Sequence, residues 1–253
     1  MIIAMPAEAA LVTGQRGWRT GNGCLRRRET LPGGVELAIG LSGMGPERCR
    51  IAARRLIDEG ASALIHLGVS GGLALQLRPG ELVIADSVML IDEGLAQNRW
   101  QTDGEIAREA RERLAARQVF AALGLIASSP RPILSSAMKK ECAEEFQALA
   151  VDMESAGVTM AVEESGLPCL MLRAVCDAAN HSVPVWLFEA LNGDGSVRFA
   201  HLAGGLVRRP AAVAELLRMR LRFRTACLAL REAWNILRAS DFPSLLAGRA
   251  ARL

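Results

Sequence analysis

The protein has 253 residues, of which 51% are hydrophobic and 23% charged, and its formal net charge is +3. This composition is typical of a folded globular protein, and it excludes intrinsic disorder, collagen-like sequence and low-complexity sequence. The longest run without a charged residue covers 17 positions, 61–77, and includes three glycines. Because a membrane-spanning helix needs about 20 apolar residues, we expect a buried strand followed by a glycine loop there.

The charge is distributed unevenly along the chain. Residues 201–253 hold ten arginines and three acids, a local charge of +7, which leaves −4 for residues 1–200. Two interpretations of the basic segment stay open: a surface attracted to anionic lipid headgroups, or a solvated helix face in an arginine-rich protein. The aromatic content of 4%, without any tyrosine, argues against a nucleic-acid partner, which basic and aromatic residues together would bind.

The cysteines and histidines show no pattern of a disulfide framework or a metal site. The six cysteines have no CxxC spacing, and the three histidines have no ligand spacing to each other or to cysteine. No secretion signal precedes them. We therefore expect a cytoplasmic protein with free thiols, no metal and no cofactor.

Short apolar runs alternate with helical patterns over the first 180 residues. Strands are predicted over 1–5, 35–41, 63–68, 81–89, 124–127, 149–152 and 169–175. Helices are predicted from Pro46 to Gly60, with an apolar stripe of Ile51, Ala52, Leu56 and Ile57, and over 103–117, 136–146 and 154–165. This alternation predicts a single α/β domain with a central mixed, twisted sheet covered by helices on both faces.

After Asn180 the pattern becomes mainly helical. Residues 193–195 form a predicted turn, and Pro210 is placed to begin a long helix. Within that helix, 216–224 alternates apolar residues with arginine, which fits a strand by period and a helix by composition. We predict a catalytic domain over 1–206 and a basic helical extension over 207–253, packed on the same domain.

Two acidic positions stand out as candidate site residues. The stretch VDMESA at 151–156 places Glu154 at a strand–helix junction, and Asp177 follows it 23 residues later, just past the next strand. Open α/β sheets bind ligands at the carboxyl ends of their strands. A helix cap or a partner of the helix dipole is the alternative role for such acids.

Four motifs in chain order extend this pattern. They are AMPAE at 4–8, GMG at 43–45, LGVSGGL at 67–73 followed by PGELV at 79–83, and VDME at 151–154 with RAVCD at 173–177. Together they resemble the superfamily of purine nucleoside phosphorylases and methylthioadenosine/adenosylhomocysteine nucleosidases over about residues 1–180. The resemblance implies a nucleoside phosphorylase-like fold, a small purine nucleoside as substrate, and a homo-oligomer.

The resemblance also implies roles for individual residues. Asp177 would protonate purine N7, Glu8 would orient and deprotonate water, and Glu154 would accept hydrogen bonds from two ribose hydroxyls. Asp177 must be protonated for its role, a state that burial and neighbouring negative charge would favour. The further substrate-binding positions are Met153 against the ribose, Gly68 and Val69 in the glycine loop, and Cys176, Ile133 and Leu134 near the base.

Glu8 favours hydrolysis over phosphorolysis, because a carboxylate beside bound phosphate is repulsive. Val69 stands where relatives usually have a hydroxyl residue, and His66 where several phosphorylases have an arginine. Phosphorolysis, with phosphate as co-substrate held by Arg16, Arg48 or an arginine of another subunit, is the alternative. Cys176 in place of Ser or Thr, and the missing base-stacking aromatic near Ile133, leave a non-catalytic nucleoside- or lipid-binding protein as the second alternative.

The C-terminal part resembles the hopanoid-associated members of the superfamily. The resemblance rests on NGDG at 192–195, LVRRP at 206–210 and the leucine- and arginine-rich helix that follows. It implies release of adenine from adenosylhopane, a nucleoside with a large lipid at its 5′ end. The basic tail would then contact the membrane surface.

Overall fold

The computed structural model describes residues 1–15, 26–208 and 212–249. Within these residues, nine strands form one sheet. The strands are β1 (Ile2–Ile3), β2 (Arg26–Thr30), β3 (Glu36–Leu41), β4 (Leu64–Gly72), β5 (Leu82–Asp92), β6 (Leu95–Gln101), β7 (Ala121–Ser128), β8 (Ala150–Asp152) and β9 (Cys169–Asp177).

The sheet is mixed, and part of it closes on itself. Its order is β2-β3-β1-β4-β8-β7-β5-β6, and β9 pairs with both β4 and β5. Strands β4, β8, β7, β5 and β9 therefore form a closed ring of pairings, parallel at β4–β9, β5–β7 and β7–β8 and antiparallel at β4–β8 and β5–β9. Closure brings the ends of β4, β8 and β9 to one side of the molecule.

Helices cover the sheet. They are α1 (Pro6–Thr13), α2 (Pro46–Asp58), α3 (Gly104–Ala115), α4 (Ser136–Phe146), α5 (Ser155–Ser165), α6 (Val185–Glu189), α7 (Phe199–Arg208), α8 (Ala212–Ala239) and α9 (Phe242–Arg249). The predicted single α/β domain with a mixed sheet is confirmed. No helix in the described ranges is both long enough and apolar enough to cross a membrane.

Several predicted elements are shorter or longer in the structure. The first strand ends at Ile3 rather than at residue 5, because Pro6 begins α1. The predicted glycine loop is instead the end of β4, which continues to Gly72 with a shift of register after Ser70. Ile51, predicted in the apolar stripe of α2, is 54% exposed; the stripe that faces the core includes Cys49 and Ala53 instead.

Three elements within the first 180 residues were not predicted, namely α1, β2 and β6. Strands β2 and β6 pair at the outer ends of the sheet order, and their sequences RRRET and LAQNRWQ lack the apolar alternation of a half-buried strand. The turn between β5 and β6 contains Glu93 and Gly94, both with positive φ, which is the ordinary backbone of a tight hairpin.

Residues 216–224, whose sequence pattern fits both a strand and a helix, are helical and belong to α8. Its second half is part of the core cluster under the sheet. The buried members are Ala226, Cys227, Leu230, Ala233, Trp234 and Leu237. Its first half is mostly exposed, so one helix both completes the core and presents a basic surface.

Arg16, Cys24, Arg209, Pro210 and residues 250–253 lie outside the described residues. The cysteines Cys49, Cys142, Cys169, Cys176 and Cys227 are free.

Helices α2 and α5 meet at Gly157, where their backbones touch. A Cβ built on Gly157 would lie 1.8 Å from the carbonyl oxygen of Pro46 and 2.7 Å from its carbonyl carbon. Those are backbone atoms, so neither can move aside without shifting a helix. Because both helices begin beside the candidate site, this contact also fixes where Gly45 and Glu154 lie.

We predict that Gly157→Ala lowers the free energy of unfolding by about 3 kcal/mol, because overpacking of a backbone contact forces the two helices apart. Gly104→Ala is the matched control, since a Cβ there has no atom within 4 Å, and it should change stability by less than about 1 kcal/mol. Urea unfolding followed by circular dichroism measures both. Equal effects of the two substitutions would contradict the close packing of α2 on α5.

Candidate active site

Glu8 is held at the start of α1, next to the middle of β4. Pro6 occupies the first turn of the helix, and the Glu8 carboxylate accepts hydrogen bonds from the backbone N–H groups of Met5 and Val69, both at 2.9 Å. The side chain is buried, and burial raises its pKa, although the two backbone N–H groups and Arg173 act in the opposite direction. Glu8 is therefore a buried carboxylate of raised proton affinity, the property of a general base.

The absence of a side chain at Gly68 allows the guanidinium of Arg173 to lie against the backbone of β4. A Cβ on Gly68 would lie 2.3 Å from Nη1 of Arg173 and 3.5 Å from Oε1 of Glu8. The guanidinium therefore presses against the backbone of β4, beside the Glu8 carboxylate. A side chain at this position would displace the guanidinium that the surrounding acids share.

Arg173 is the centre of a buried network. Its Nε donates to Oδ2 of Asp152 at 2.6 Å, and its Nη2 donates to Oγ of Ser155 at 3.0 Å and lies 2.9 Å from a ring nitrogen of His66. Burial lowers the pKa of Arg173, but the carboxylates of Asp152 and Glu154 outweigh that effect and raise it. The guanidinium is thus a permanent positive charge inside the domain.

His66 is fully buried and lies in contact with the guanidinium of Arg173. Burial first, and then the positive charge of Arg173, hold its pKa well below its usual range. The imidazole is therefore neutral at physiological pH, and one ring nitrogen can accept a hydrogen bond from the guanidinium. Its Nε2 also lies 3.9 Å from Sγ of Cys49.

Glu154 occupies the position before the first turn of α5. Its carboxylate accepts hydrogen bonds from the backbone N–H of Gly45 at 2.9 Å and of Met153 at 3.3 Å. Gly45 has a φ of 101°, a conformation that L-residues rarely adopt, so glycine is needed to aim that N–H. Burial and the negative charge of Asp152 raise the pKa of Glu154 to about 7.

Asp152 fixes the orientation of this helix start. Its Oδ1 accepts from the backbone N–H of Glu154 at 3.1 Å and of Ser155 at 3.0 Å. It therefore caps α5 and neutralises Arg173 at the same time. Met153, half-buried between the two acids along the chain, is the predicted ribose contact.

Asp177 ends β9 and binds a lysine that sequence reasoning missed. Its Oδ2 pairs with Nζ of Lys139, and the Asp177 side chain is 17% exposed while that of Lys139 is fully buried. The same ammonium donates to the carbonyl oxygens of Ala178 at 3.2 Å and His181 at 2.8 Å. The expectation that negative neighbours favour protonation of Asp177 is corrected, because its direct partner is a cation.

The predicted base-side residues lie on the elements around this pair. Cys176 precedes Asp177 in β9, and burial and the Asp177 carboxylate raise the pKa of its thiol, which is therefore neutral. Ile133 packs on a core cluster that includes Leu73 and Val151. The carbonyl of Leu134 accepts from the backbone N–H of Val183 at 2.8 Å, which joins this segment to the chain after β9.

The structure brings the predicted residues into two adjoining groups. Glu8, Gly68 and Glu154 lie near Arg173, and Val69 binds Glu8, while Asp177 and Cys176 lie near Lys139. The two groups adjoin, since the negative charges of both Asp177 and Glu8 raise the pKa of the Cys176 thiol. A three-carboxylate site around one guanidinium can activate water, bind hydroxyl groups and stabilise positive charge that develops on a sugar.

Sequence reasoning left Arg173, Asp152 and Lys139 out of the candidate site residues. Arg173 had a detectable signal, as a single charge inside the otherwise apolar strand CLMLRAV. Asp152 gave an ordinary capping signal, and Lys139 gave none within the charged helix MKKECAEE. Arg48, one of the alternative anion ligands, is exposed, and its side chain lies against Gly43 and Gly193.

Metal ligation has no support in the described part of the chain, where no group of three or more His, Cys, Asp or Glu side chains could hold an ion. The carboxylates of the site are instead occupied by backbone N–H groups, Arg173 and Lys139.

Known proteins share this sequence pattern and this fold. The chain is 27% identical over 168 residues to a 5′-methylthioadenosine/S-adenosylhomocysteine nucleosidase of Shewanella halifaxensis, covering 60% of this chain and 73% of the relative. It is also 27% identical over 157 residues to an aminodeoxyfutalosine nucleosidase of Campylobacter jejuni, covering 57% of this chain and 69% of the relative.

Solved structures show the same fold at lower identity. A futalosine hydrolase of Helicobacter pylori has a TM-score of 0.71 and 17% identity, covering 93% of this chain and 94% of that one. A methylthioadenosine/adenosylhomocysteine nucleosidase of S. pneumoniae with a transition-state inhibitor has a TM-score of 0.70 and 21% identity, covering 94% and 96%.

The family profile described as the Phosphorylase superfamily matches residues 1–208, which include every residue of the candidate site. Glu8, Glu154 and Asp177 all lie within that match. This chain therefore belongs to the phosphorylase superfamily.

Proposed function

We propose that this protein hydrolyses the N-glycosidic bond of an adenine nucleoside and releases adenine. The choice of water rather than phosphate as the nucleophile rests on one observation. The backbone N–H of Val69, in the glycine-rich end of β4, donates to the Glu8 carboxylate at 2.9 Å, so it is not available to a bound anion. Phosphate placed there would face a buried carboxylate and lose that donor.

Each acid then has its own role in the proposed reaction. Glu8, buried and of raised pKa, orients water and takes its proton. Glu154 accepts hydrogen bonds from the ribose hydroxyls and stabilises positive charge that develops on the sugar. Asp177 faces the purine and delivers a proton to N7, so the C1′–N9 bonding electrons leave with a neutral base rather than an anion.

The relatives support the reaction class. The names of the sequence relatives describe nucleosidases of 5′-methylthioadenosine, S-adenosylhomocysteine and aminodeoxyfutalosine. They differ in the 5′ part of the nucleoside, so this chain's own 5′ substituent is a separate question. Phosphorolysis and non-catalytic binding are the outcomes that would replace the proposal.

We predict that the purified protein releases adenine from 5′-methylthioadenosine at the same rate with and without phosphate, together with a free sugar. Glu8→Gln should lower kcat by at least about 100-fold, because an amide cannot take the proton of water. Chromatography of the products measures both. Release of adenine only in phosphate, with a sugar 1-phosphate, would establish phosphorolysis, and tight binding without turnover would establish a binding protein.

The pH dependence follows from Glu154. Because its pKa is raised to about 7, the group is protonated below that pH and then accepts fewer hydrogen bonds and carries no charge. We predict that kcat/KM rises between about pH 5.5 and 8 with a midpoint near 7. Glu154→Gln should be slower at every pH and lose the part of the rise that Glu154 causes, and an unchanged profile in this variant would assign the ionisation to another group.

We further propose that the 5′ substituent is a lipid, as in adenosylhopane, and that the first half of α8 contacts a membrane surface. Val213, Leu217 and Leu221 form a ridge on that half and are 45%, 54% and 63% exposed. The exposed arginines Arg218, Arg220 and Arg224 stand among them. Exposed leucine beside arginine is the pattern of a helix that lies on an anionic membrane.

We predict salt-sensitive binding to vesicles that contain anionic lipid, measured by co-sedimentation. The double substitution Leu217→Ser with Leu221→Ser should weaken binding about 30-fold, since burying each leucine contributes on the order of 1 kcal/mol. Phe120→Ser is the matched control, because Phe120 is 77% exposed before the first residue of β7, outside α8. Equal binding by both variants, or no binding by the unaltered chain, would contradict the membrane contact.

A further inference from the structure

Lys139 is the most completely buried charged side chain on the base side of the site. Its side chain has no exposed area. Its ammonium has three acceptors, namely Oδ2 of Asp177, the carbonyl of Ala178 at 3.2 Å and the carbonyl of His181 at 2.8 Å. An ammonium has three donors, so all of them are used, and the only ionisable group among the three acceptors is Asp177.

Gly71 of β4 lies next to this pair. A Cβ on Gly71 would lie 3.4 Å from Oδ2 of Asp177 and 3.6 Å from Cε of Lys139, which are ordinary van der Waals distances. Lys139 belongs to α4, whose start is capped by Ser135, which accepts from the backbone N–H of Met138 at 3.1 Å. Ser135 directly follows Ile133 and Leu134, so the base segment leads into the helix that carries Lys139.

Asp177 cannot donate a proton to N7 while it is a plain carboxylate, because an ionised carboxylate only accepts hydrogen bonds. The acid role in the proposed function therefore needs a proton source within reach. In this structure the Nζ–H that points at Oδ2 is the proton in contact with the carboxylate.

We propose that Lys139 is a positioning residue that supplies, through Asp177, the proton which the departing purine receives. The inference rests on the proposed function. As the C1′–N9 bond breaks, its electron pair moves into the purine and raises the basicity of N7. Nζ of Lys139 transfers a proton to the Asp177 carboxylate, and the carboxyl group so formed passes that proton on to N7. Lys139 is left as a neutral amine beside the Asp177 carboxylate. After adenine has departed, Lys139 regains a proton from solvent, and Glu8 releases to solvent the proton that it took from the attacking water.

A merely structural lysine makes a different prediction. If Lys139 only stabilised the loop after β9, its removal would lower kcat equally for every substrate. If it supplied the proton, its removal would harm only substrates whose leaving group needs one. A 4-nitrophenyl riboside has a leaving group that departs as a stable anion, so the two roles separate on a pair of substrates.

The experiment compares kcat for 5′-methylthioadenosine and 4-nitrophenyl β-D-ribofuranoside in the full-length protein and its variants. Lys139→Met should lose at least about 100-fold with the purine nucleoside and less than about fivefold with the nitrophenyl riboside, the range expected for general acid catalysis. Lys139→Arg should fail to restore purine cleavage, since a guanidinium pairs with Asp177 but is not deprotonated in proteins. Lys140→Met is the matched control, because Lys140 is an exposed neighbour that lies 3.8 Å from Glu144.

A double variant tests that Lys139 acts through Asp177. Asp177→Asn combined with Lys139→Met should cleave the purine nucleoside no more slowly than Asp177→Asn alone, because groups that act as a unit are not additive. Equal losses on both substrates, or full rescue by Lys139→Arg, would overturn the proton-supply role and leave the proposed function intact. Failure of the unaltered protein on both substrates would overturn the proposed function and this inference with it.

Discussion

The buried guanidinium of Arg173 is the interaction on which the rest of the site depends. Glu8, Asp152 and Glu154 are all buried, and buried carboxylates are costly unless a cation compensates them. Arg173 reaches Asp152 directly, touches the backbone at Gly68 beside Glu8, and favours the charged form of Glu154. One positive charge for three acids also leaves an excess of negative potential, which suits a reaction whose sugar becomes positive.

The two sides of the site use their cations differently. On the ribose side, Arg173 cannot release its proton, so it keeps Glu8 and Glu154 near a sugar that needs acceptors and negative charge. On the base side, the cation is a lysine, which can release a proton, and its carboxylate partner Asp177 ends β9. This division follows from the ring of strands, because β4 pairs with both β8 and β9 and brings their ends together.

Local signals were sufficient for much of the fold, whereas the roles of Glu8, Glu154 and Asp177 rest on the family resemblance and stay predictions. Alternating apolar runs gave the sheet, and the helices over Ser136–Phe146 and Ser155–Ser165 were predicted closely, because caps and glycines mark their ends. Strands β2 and β6 were missed because pairing with a neighbour, rather than their own pattern, makes them strands. Lys139 was missed for a similar reason: 38 residues separate it from Asp177, and nothing within α4 distinguishes it from Lys140.

The central claim is that water, and not phosphate, occupies the space beside Glu8 when an adenine nucleoside is bound at Glu154. A crystal structure of this protein grown in phosphate with a non-hydrolysable adenosine analogue tests it most directly. The account predicts both ribose hydroxyls on the Glu154 carboxylate, the purine at Asp177, and a water molecule within hydrogen-bond distance of Glu8. A phosphate ion bound to the backbone N–H of Val69, or an analogue bound away from these three acids, would contradict it.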